Sequence, residues 1–221
     1  GPRRTRGDRP QVIGATRVSA PTRMSTRTRS PRLAAVATAV PAHAAAQSEA
    51  RALVARMVQG SEAGSERLLA VFDQSGIERR HFAADDEATA DLAVKAAQSA
   101  LEAAHLAAGD VDEIIVTTDT PEVSIPDTAA FVQQRLGARE IPAYDLAGSG
   151  CAGFLLGLDV ARSRVRSGAG RVLVIGVELL SRLMDWRERN TAVLFGDAAG
   201  AVIVGYGDGA EILAAVAGTD G

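Results

Sequence analysis

The sequence predicts an α/β layered fold, and three observations carry that expectation. From Arg32 onward, strand-like runs alternate with helix-like ones. Two of the runs, Arg171–Val177 and Ala199–Val204, are apolar and β-branched, as central strands buried on both faces are. A third, Ile141–Leu146, runs directly into the turn Gly148-Ser149-Gly150 and then into a helical pattern. The composition agrees: 221 residues, 47% apolar and 23% charged, describe a soluble globular chain and exclude wholesale disorder. The longest uncharged apolar stretch, near Leu33–Ala46, falls short of the roughly 18 residues of a membrane span.

Taken in order, Leu33–Val40 is the first expected strand, stopped by Pro41. Ser48 is an expected cap for a helix over Glu49–Gln59, and a second short helix over Ser65–Gln74 ends at Gly76. Glu78–His81 then leads out through a polar loop. Ala88–Ala107 is a long Ala/Leu helix with Leu92, Ala96, Ala100 and Ala103 near helical spacing, closed by Gly109-Asp110. Its small residues imply close packing. Glu113–Thr117 is a buried strand, Thr118–Pro126 a loop and Asp127–Leu136 a helix. After the Ile141–Leu146 strand, a helix beginning near Cys151 continues to about Ser167. No repeat or interior linker divides residues 33–221.

Residues 1–32 differ from the rest. They hold nine arginines against the single Asp8, so the formal net charge of -3 conceals a basic leader on an acidic body. Such a segment suits a nucleic-acid arm or a transit peptide. Lacking an apolar core or an amphipathic period, it is expected to be disordered. Met24 offers a shorter start, and the initial Gly fits a processed, tagged or incomplete product. The lone cysteine, Cys151, excludes an internal disulfide framework and a Cys-rich zinc site, and fits a reducing compartment.

The segment Asp145-Leu146-Ala147-Gly148-Ser149-Gly150-Cys151-Ala152-Gly153-Phe154 carries most of the chemical information. A helix starting where the glycines end puts Cys151 in its first turn, where unpaired N–H groups and the helix dipole favour the thiolate, the nucleophilic form. Gly150 and Gly153 would let the backbone turn sharply and leave room for a substrate beside the sulfur. Two other readings compete. One is a small buried cysteine in an Ala/Gly-rich core helix. The other is dinucleotide binding, since Gly148, Gly150 and Gly153 fit G-x-G-x-x-G and Glu178 follows the next strand. Against it stands its position, after two earlier strands. In the second cluster, Asn190–Val204, Gly196 and Asp197 form a turn before a buried strand, and Asp197 is expected to hydrogen-bond there structurally rather than act as an acid.

Together these segments resemble the thiolase-fold condensing enzymes, most closely the β-ketoacyl-acyl-carrier-protein synthase III branch. DLAGSGCAGF is similar to that family's nucleophile segment, and RVLVIGVELLSRLMDWRERNTAVLFGDAAGAVIVG to the strand, loop and FGDGAGA-type strand after it. TTDTPEVSIPDTAAFVQQRLG is similar to its preceding loop and helix, and GIERRHF at Gly76–Phe82 to its GI-x-x-R segment. The resemblance covers about residues 33–221 and implies the N-terminal half of a thiolase-like layered fold, a mixed five-stranded sheet flanked by helices. It weighs against both the buried-cysteine and dinucleotide readings.

By this resemblance, Cys151 accepts an acyl group from a coenzyme A or acyl-carrier-protein thioester, and a malonyl-derived carbanion attacks the acyl-enzyme. The backbone N–H of Cys151 itself can hold the tetrahedral oxyanion. A loop matching Thr118–Pro126 approaches the partner subunit's acyl pocket, which makes Val123 and Ile125 candidate chain-length determinants. Phe154 is either a substrate contact or plain core. The implied enzyme is a cytoplasmic homodimer that binds no cofactor or metal, uses acyl-coenzyme A or acyl carrier protein as substrate, and engages neither nucleic acid nor membrane.

Two departures qualify the match. The family's His and Asn lie in a second half that these residues do not match, and His43, His81 and His105, matching none of its motif positions, are assigned surface or loop roles. The isolated chain is therefore expected not to complete a condensation. Before Gly76, the run Arg67–Ile77 looks more like chalcone synthase-type polyketide synthases, with Arg67 a pantetheine-phosphate contact or else a solvated helix arginine. Alkylpyrone synthesis, acyl transfer by the same cysteine, and a non-catalytic half-domain are the alternative functions.

Overall fold

A computed structural model describes residues 30–49, 52, 70, 71, 74–186, 191 and 193–220. The basic leader up to residue 29, most of the two helices expected between Glu49 and Gln74, and Arg67 lie outside the described residues.

A six-stranded sheet is built from β1 (Arg32–Ala39), β4 (Glu113–Thr117), β5 (Ala143–Leu146), β6 (Arg171–Leu179), β7 (Asp197–Gly205) and β8 (Ala210–Glu211), in the order β5-β4-β6-β7-β1-β8. The strands β5, β4 and β6 are parallel, whereas β7 runs antiparallel to both β6 and β1. Mixed pairing was expected. The sixth strand is the two-residue β8, which adds to the edge of β1 and is too short to leave a periodic signal.

Alternation along the strands sorts the core into two layers. On one side Ile114, Val116, Leu173, Ile175 and Ile203 pack beneath α1 (Thr89–Ala103) and α2 (Thr128–Leu136). Alanines 90, 93, 96, 97 and 100 let α1 lie close to the sheet, as its composition implies. On the other side Ile115, Val172, Val174, Val202 and Val204 pack under Ala161 and Val165 of α3 (Gly153–Arg166). This second layer is only partly covered: Val36, in register with Val202 and thus on the α3 side of β1, stays 63% exposed.

Several boundaries move. The first long helix ends at Ala103, four residues early, because His105 takes a left-handed conformation (φ 55°). The Leu106 N–H then bonds the Leu101 carbonyl, a glycine-type helix ending made by a histidine. The expected loop at Glu78–His81 is instead β3 (Arg79–Phe82), paired antiparallel with β2 (His43–Ala46). His43 and His81 are therefore strand residues, His43 facing the Phe82 ring and His81 Nδ1 meeting the Pro41 carbonyl at 2.8 Å. The helix expected to start after Ser48 already includes Gln47, so Ser48 does not cap it.

Candidate active site

The parallel strands β4, β5 and β6 end on the same edge of the sheet, and their exit loops meet there. Leaving β5, the chain passes Gly148 (φ 78°) and Gly150 (φ 51°), a left-handed pair that side-chain-bearing residues adopt with strain. Gly150–Ala152 is a single 3-10 turn holding Cys151, and α3 starts two residues beyond the cysteine rather than at it. Gly153 is ordinary helix (φ -53°) and does not turn the chain, contrary to expectation. Nor does packing require a glycine there, since a Cβ would make an ordinary contact with the Thr117 Cβ at 3.5 Å. Cys151 is exposed, which excludes the buried-cysteine reading.

Asp119, from the loop after β4, holds this turn. Its carboxylate accepts the Gly148 N–H at 2.5 Å and the Gly150 N–H at 2.9 Å. Among the described residues the Cys151 N–H has no hydrogen-bond partner. Glu178, at the end of β6, fixes the loop in turn by accepting the Asp119 N–H at 2.8 Å and the Thr120 hydroxyl at 2.6 Å. Burial pushes the Glu178 carboxyl above the ordinary range, and the charge of Asp119 adds to this, while the two hydrogen bonds pull it back.

These bonds remove the dinucleotide reading. The two glycine N–H groups that would cradle a phosphate already face a carboxylate, and both oxygens of Glu178, the acid expected to hold a ribose, are engaged inside the protein. Asp145, just upstream, is likewise occupied: it accepts the Thr128 and Ala129 N–H groups at 2.7 and 2.8 Å and so caps α2.

Beside Cys151 lies a cleft of about 440 Å³. Two glycines, Gly176 of β6 and Gly200 of β7, are paired in register across it, with Thr38 of β1 opposite Gly200. Phe154 and Glu178 also line it. Of the other expected substrate contacts, Val123 and Ile125 do not line this cleft but project from their loop, 44% and 87% exposed. Asp197 is 3% exposed and accepts from the Ala83 N–H, the Ser181 N–H and the Ser181 hydroxyl at 2.8, 2.8 and 2.6 Å. Gly196 sits where a Cβ would come within 3.0 Å of the His81 carbonyl. Sequence reasoning missed Asp119, and met Glu178 only as a ribose ligand; the one available signal was that both sit at the ends of strands parallel to the one that leads into Cys151.

Comparison with known proteins agrees with this geometry. Residues 144–221 match the profile of the 3-oxoacyl-[acyl-carrier-protein] synthase III family. The chain is 54% identical over 137 residues to the beta-ketoacyl-[acyl-carrier-protein] synthase III of Dinoroseobacter shibae, covering 62% of this chain and 42% of the relative. The crystal structure of 3-oxoacyl-[acyl-carrier-protein] synthase III from Aquifex aeolicus superposes with a TM-score of 0.69 at 34% identity, over 80% of this chain and 54% of that one. The priming beta-ketosynthase of the R1128 polyketide biosynthetic pathway gives 0.73 at 29% identity, over 85% and 53%. The chain thus spans less than half the length of the curated relatives it matches.

Proposed function

We propose that this chain, which has the thiolase-type fold and resembles 3-oxoacyl-acyl-carrier-protein synthase III, takes an acyl group from a coenzyme A or acyl-carrier-protein thioester onto Cys151. The observation that carries the reading is an exposed cysteine whose own N–H is unpartnered, opening onto an apolar cleft at a strand-to-helix turn. The Cys151 thiolate attacks the thioester carbonyl carbon, and the Cys151 N–H steadies the oxyanion. Collapse expels the donor thiolate, which takes a proton from solvent, and leaves the acyl group on sulfur. Phe154 lies along the acyl chain.

A malonyl thioester then loses carbon dioxide, its carbanion attacks the acyl carbonyl, and Cys151 leaves as thiolate to complete a decarboxylative Claisen condensation. Among the described residues no histidine lines the cleft, so the groups that assist decarboxylation belong to residues beyond those in the cleft. Residues 33–221 are on this reading the N-terminal, nucleophile-bearing half of the condensing domain. The projecting Val123 and Ile125 suit a homodimer in which each loop reaches the other copy's acyl pocket. Among the described residues no helix is long and apolar enough to cross a membrane, and a single cysteine suits the cytoplasm.

Intact mass spectrometry after incubation with a series of acyl-coenzyme A thioesters tests the proposal. One acyl adduct, absent from Cys151→Ala, is expected, and the accepted chain lengths define the primer. A folded chain that iodoacetamide alkylates at Cys151 but that takes no acyl group would overturn it.

A further inference from the structure

We infer that Asp119 is a positioning residue for the nucleophile, holding the turn that presents Cys151; the inference rests on the acyl-transfer reading above. Two observations support it. The left-handed glycines at 148 and 150 have open space where a Cβ would stand, so no neighbour crowds the chain into this conformation at those two positions. Their N–H groups reach the Asp119 carboxylate, which bridges both across a separation of about thirty residues in sequence and adds a long-range tie to the turn's own bonds from Ala152 to Ser149 and from Gly153 to Gly150.

The bridge has two consequences. It uses the N–H groups on either side of Ser149, so that of the turn's two remaining donors unpartnered among the described residues, the N–H groups of Ser149 and Cys151, the second belongs to the cysteine itself. It also places a carboxylate next to the residue preceding the nucleophile, so anionic reagents approach the thiol against a like charge. The brace is itself braced: Glu178 fixes the Asp119 backbone, and the Thr120 hydroxyl that Glu178 binds accepts the Leu179 N–H at 2.9 Å. The ends of β4, β5 and β6 are thereby tied together beneath the cysteine. No part of Asp119 needs to touch substrate for this.

The full chain is compared with Asp119→Ala and with Asp119→Asn, which keeps one acceptor oxygen but no charge. In Asp119→Ala, amide hydrogen exchange at Gly148 and Gly150 is expected to quicken at least tenfold while β4 and β6 amides are unchanged; Asp119→Asn falls between. The ratio of iodoacetate to iodoacetamide alkylation rates at Cys151, in which the thiolate fraction cancels, is expected to rise at least twofold in both. With an acyl-coenzyme A, the saturating rate falls at least tenfold in Asp119→Ala while the half-saturating concentration holds. Unchanged exchange at the two glycines, an unchanged reagent ratio, or an unchanged saturating rate overturns the inference. If the wild-type chain is alkylated at Cys151 but not acylated, the acyl-transfer reading fails instead, and exchange and alkylation still decide the role of Asp119.

Discussion

The ring of Phe154 rests on Gly176: a Cβ added at Gly176 would meet the Phe154 Cδ2 at 3.0 Å and the Thr117 hydroxyl at 3.3 Å. A side chain that lines the cleft thus stands on a strand residue that has none. Gly176→Ala must displace the ring, and overpacking of this kind costs about 1–3 kcal/mol. Because Phe154 lines the cleft beside Cys151, a ring that gives way there reshapes the cleft. The variant is expected to lose that stability in urea and to discriminate more strongly against longer acyl-coenzyme A chains in the mass-spectrometric assay; an unaltered chain-length profile would mean that Phe154 does not border the acyl group.

Gly157 sets helix propensity against packing. Alanine in a helix interior is favoured over glycine by about 1 kcal/mol. Here, however, the Cβ would lie 3.0 Å from both Thr117 Cγ2 and Val174 Cγ1, two β-branched side chains fixed on adjacent strands. Packing is expected to win, so Gly157→Ala should lower the urea midpoint. A raised midpoint would show that α3 can lift off the sheet at little cost.

How much of this was legible in the sequence depends on distance along the chain. The strands β4, β6 and β7 are read from their own apolar runs, and Cys151 from the glycines beside it, because those signals are local. The β2/β3 pair escaped because its segments, His43-Ala-Ala-Ala and Arg79-Arg-His-Phe, show no alternation and are joined by no short turn. The Asp119 bridge escaped for a related reason. A carboxylate in a loop after one strand says nothing about its partners until parallel pairing of β4 with β5 brings the two exits together. The helix end at His105 was hidden because the expected signal is glycine, and the next one stands four residues later.

Asp197 joins three pieces of the fold through one carboxylate: the exit of β3 at Ala83, Ser181 after β6, and the start of β7. Asp197→Ala leaves three partly buried donors without an acceptor, at a cost of about 1–3 kcal/mol. Asp197→Asn, which keeps one carbonyl oxygen, should cost less. Chemical denaturation is expected to rank wild type, Asn and Ala in that order, with alkylation of Cys151 retained in the Asn variant. Loss of Cys151 alkylation in a fully folded Asn variant would give Asp197 a role at the cysteine beyond structure.

Glu178 and Asp112 should give stability opposite dependences on pH. Burial raises the Glu178 carboxyl above its ordinary value, so its contribution is fully present below the usual carboxylate range and is lost as pH rises through the folded value. Burial also opposes ionisation of Asp112, but the Arg171 N–H, the Arg139 guanidinium and the Gly170 N–H together outweigh it and hold that carboxyl below the ordinary range. Its contribution is present above the ordinary value and lost as pH falls. Replacing each by its amide cancels the titration. The melting temperature of Glu178→Gln relative to wild type should therefore be more favourable at pH 7 than at pH 4, whereas the deficit of Asp112→Asn should be largest at pH 7 and shrink toward pH 3. Thermal melts across that range decide it: a Glu178→Gln difference that falls between pH 4 and pH 7 would mean that its hydrogen bonds from Thr120 and Asp119 outweigh burial, and that the carboxylate form is the one the turn was built around.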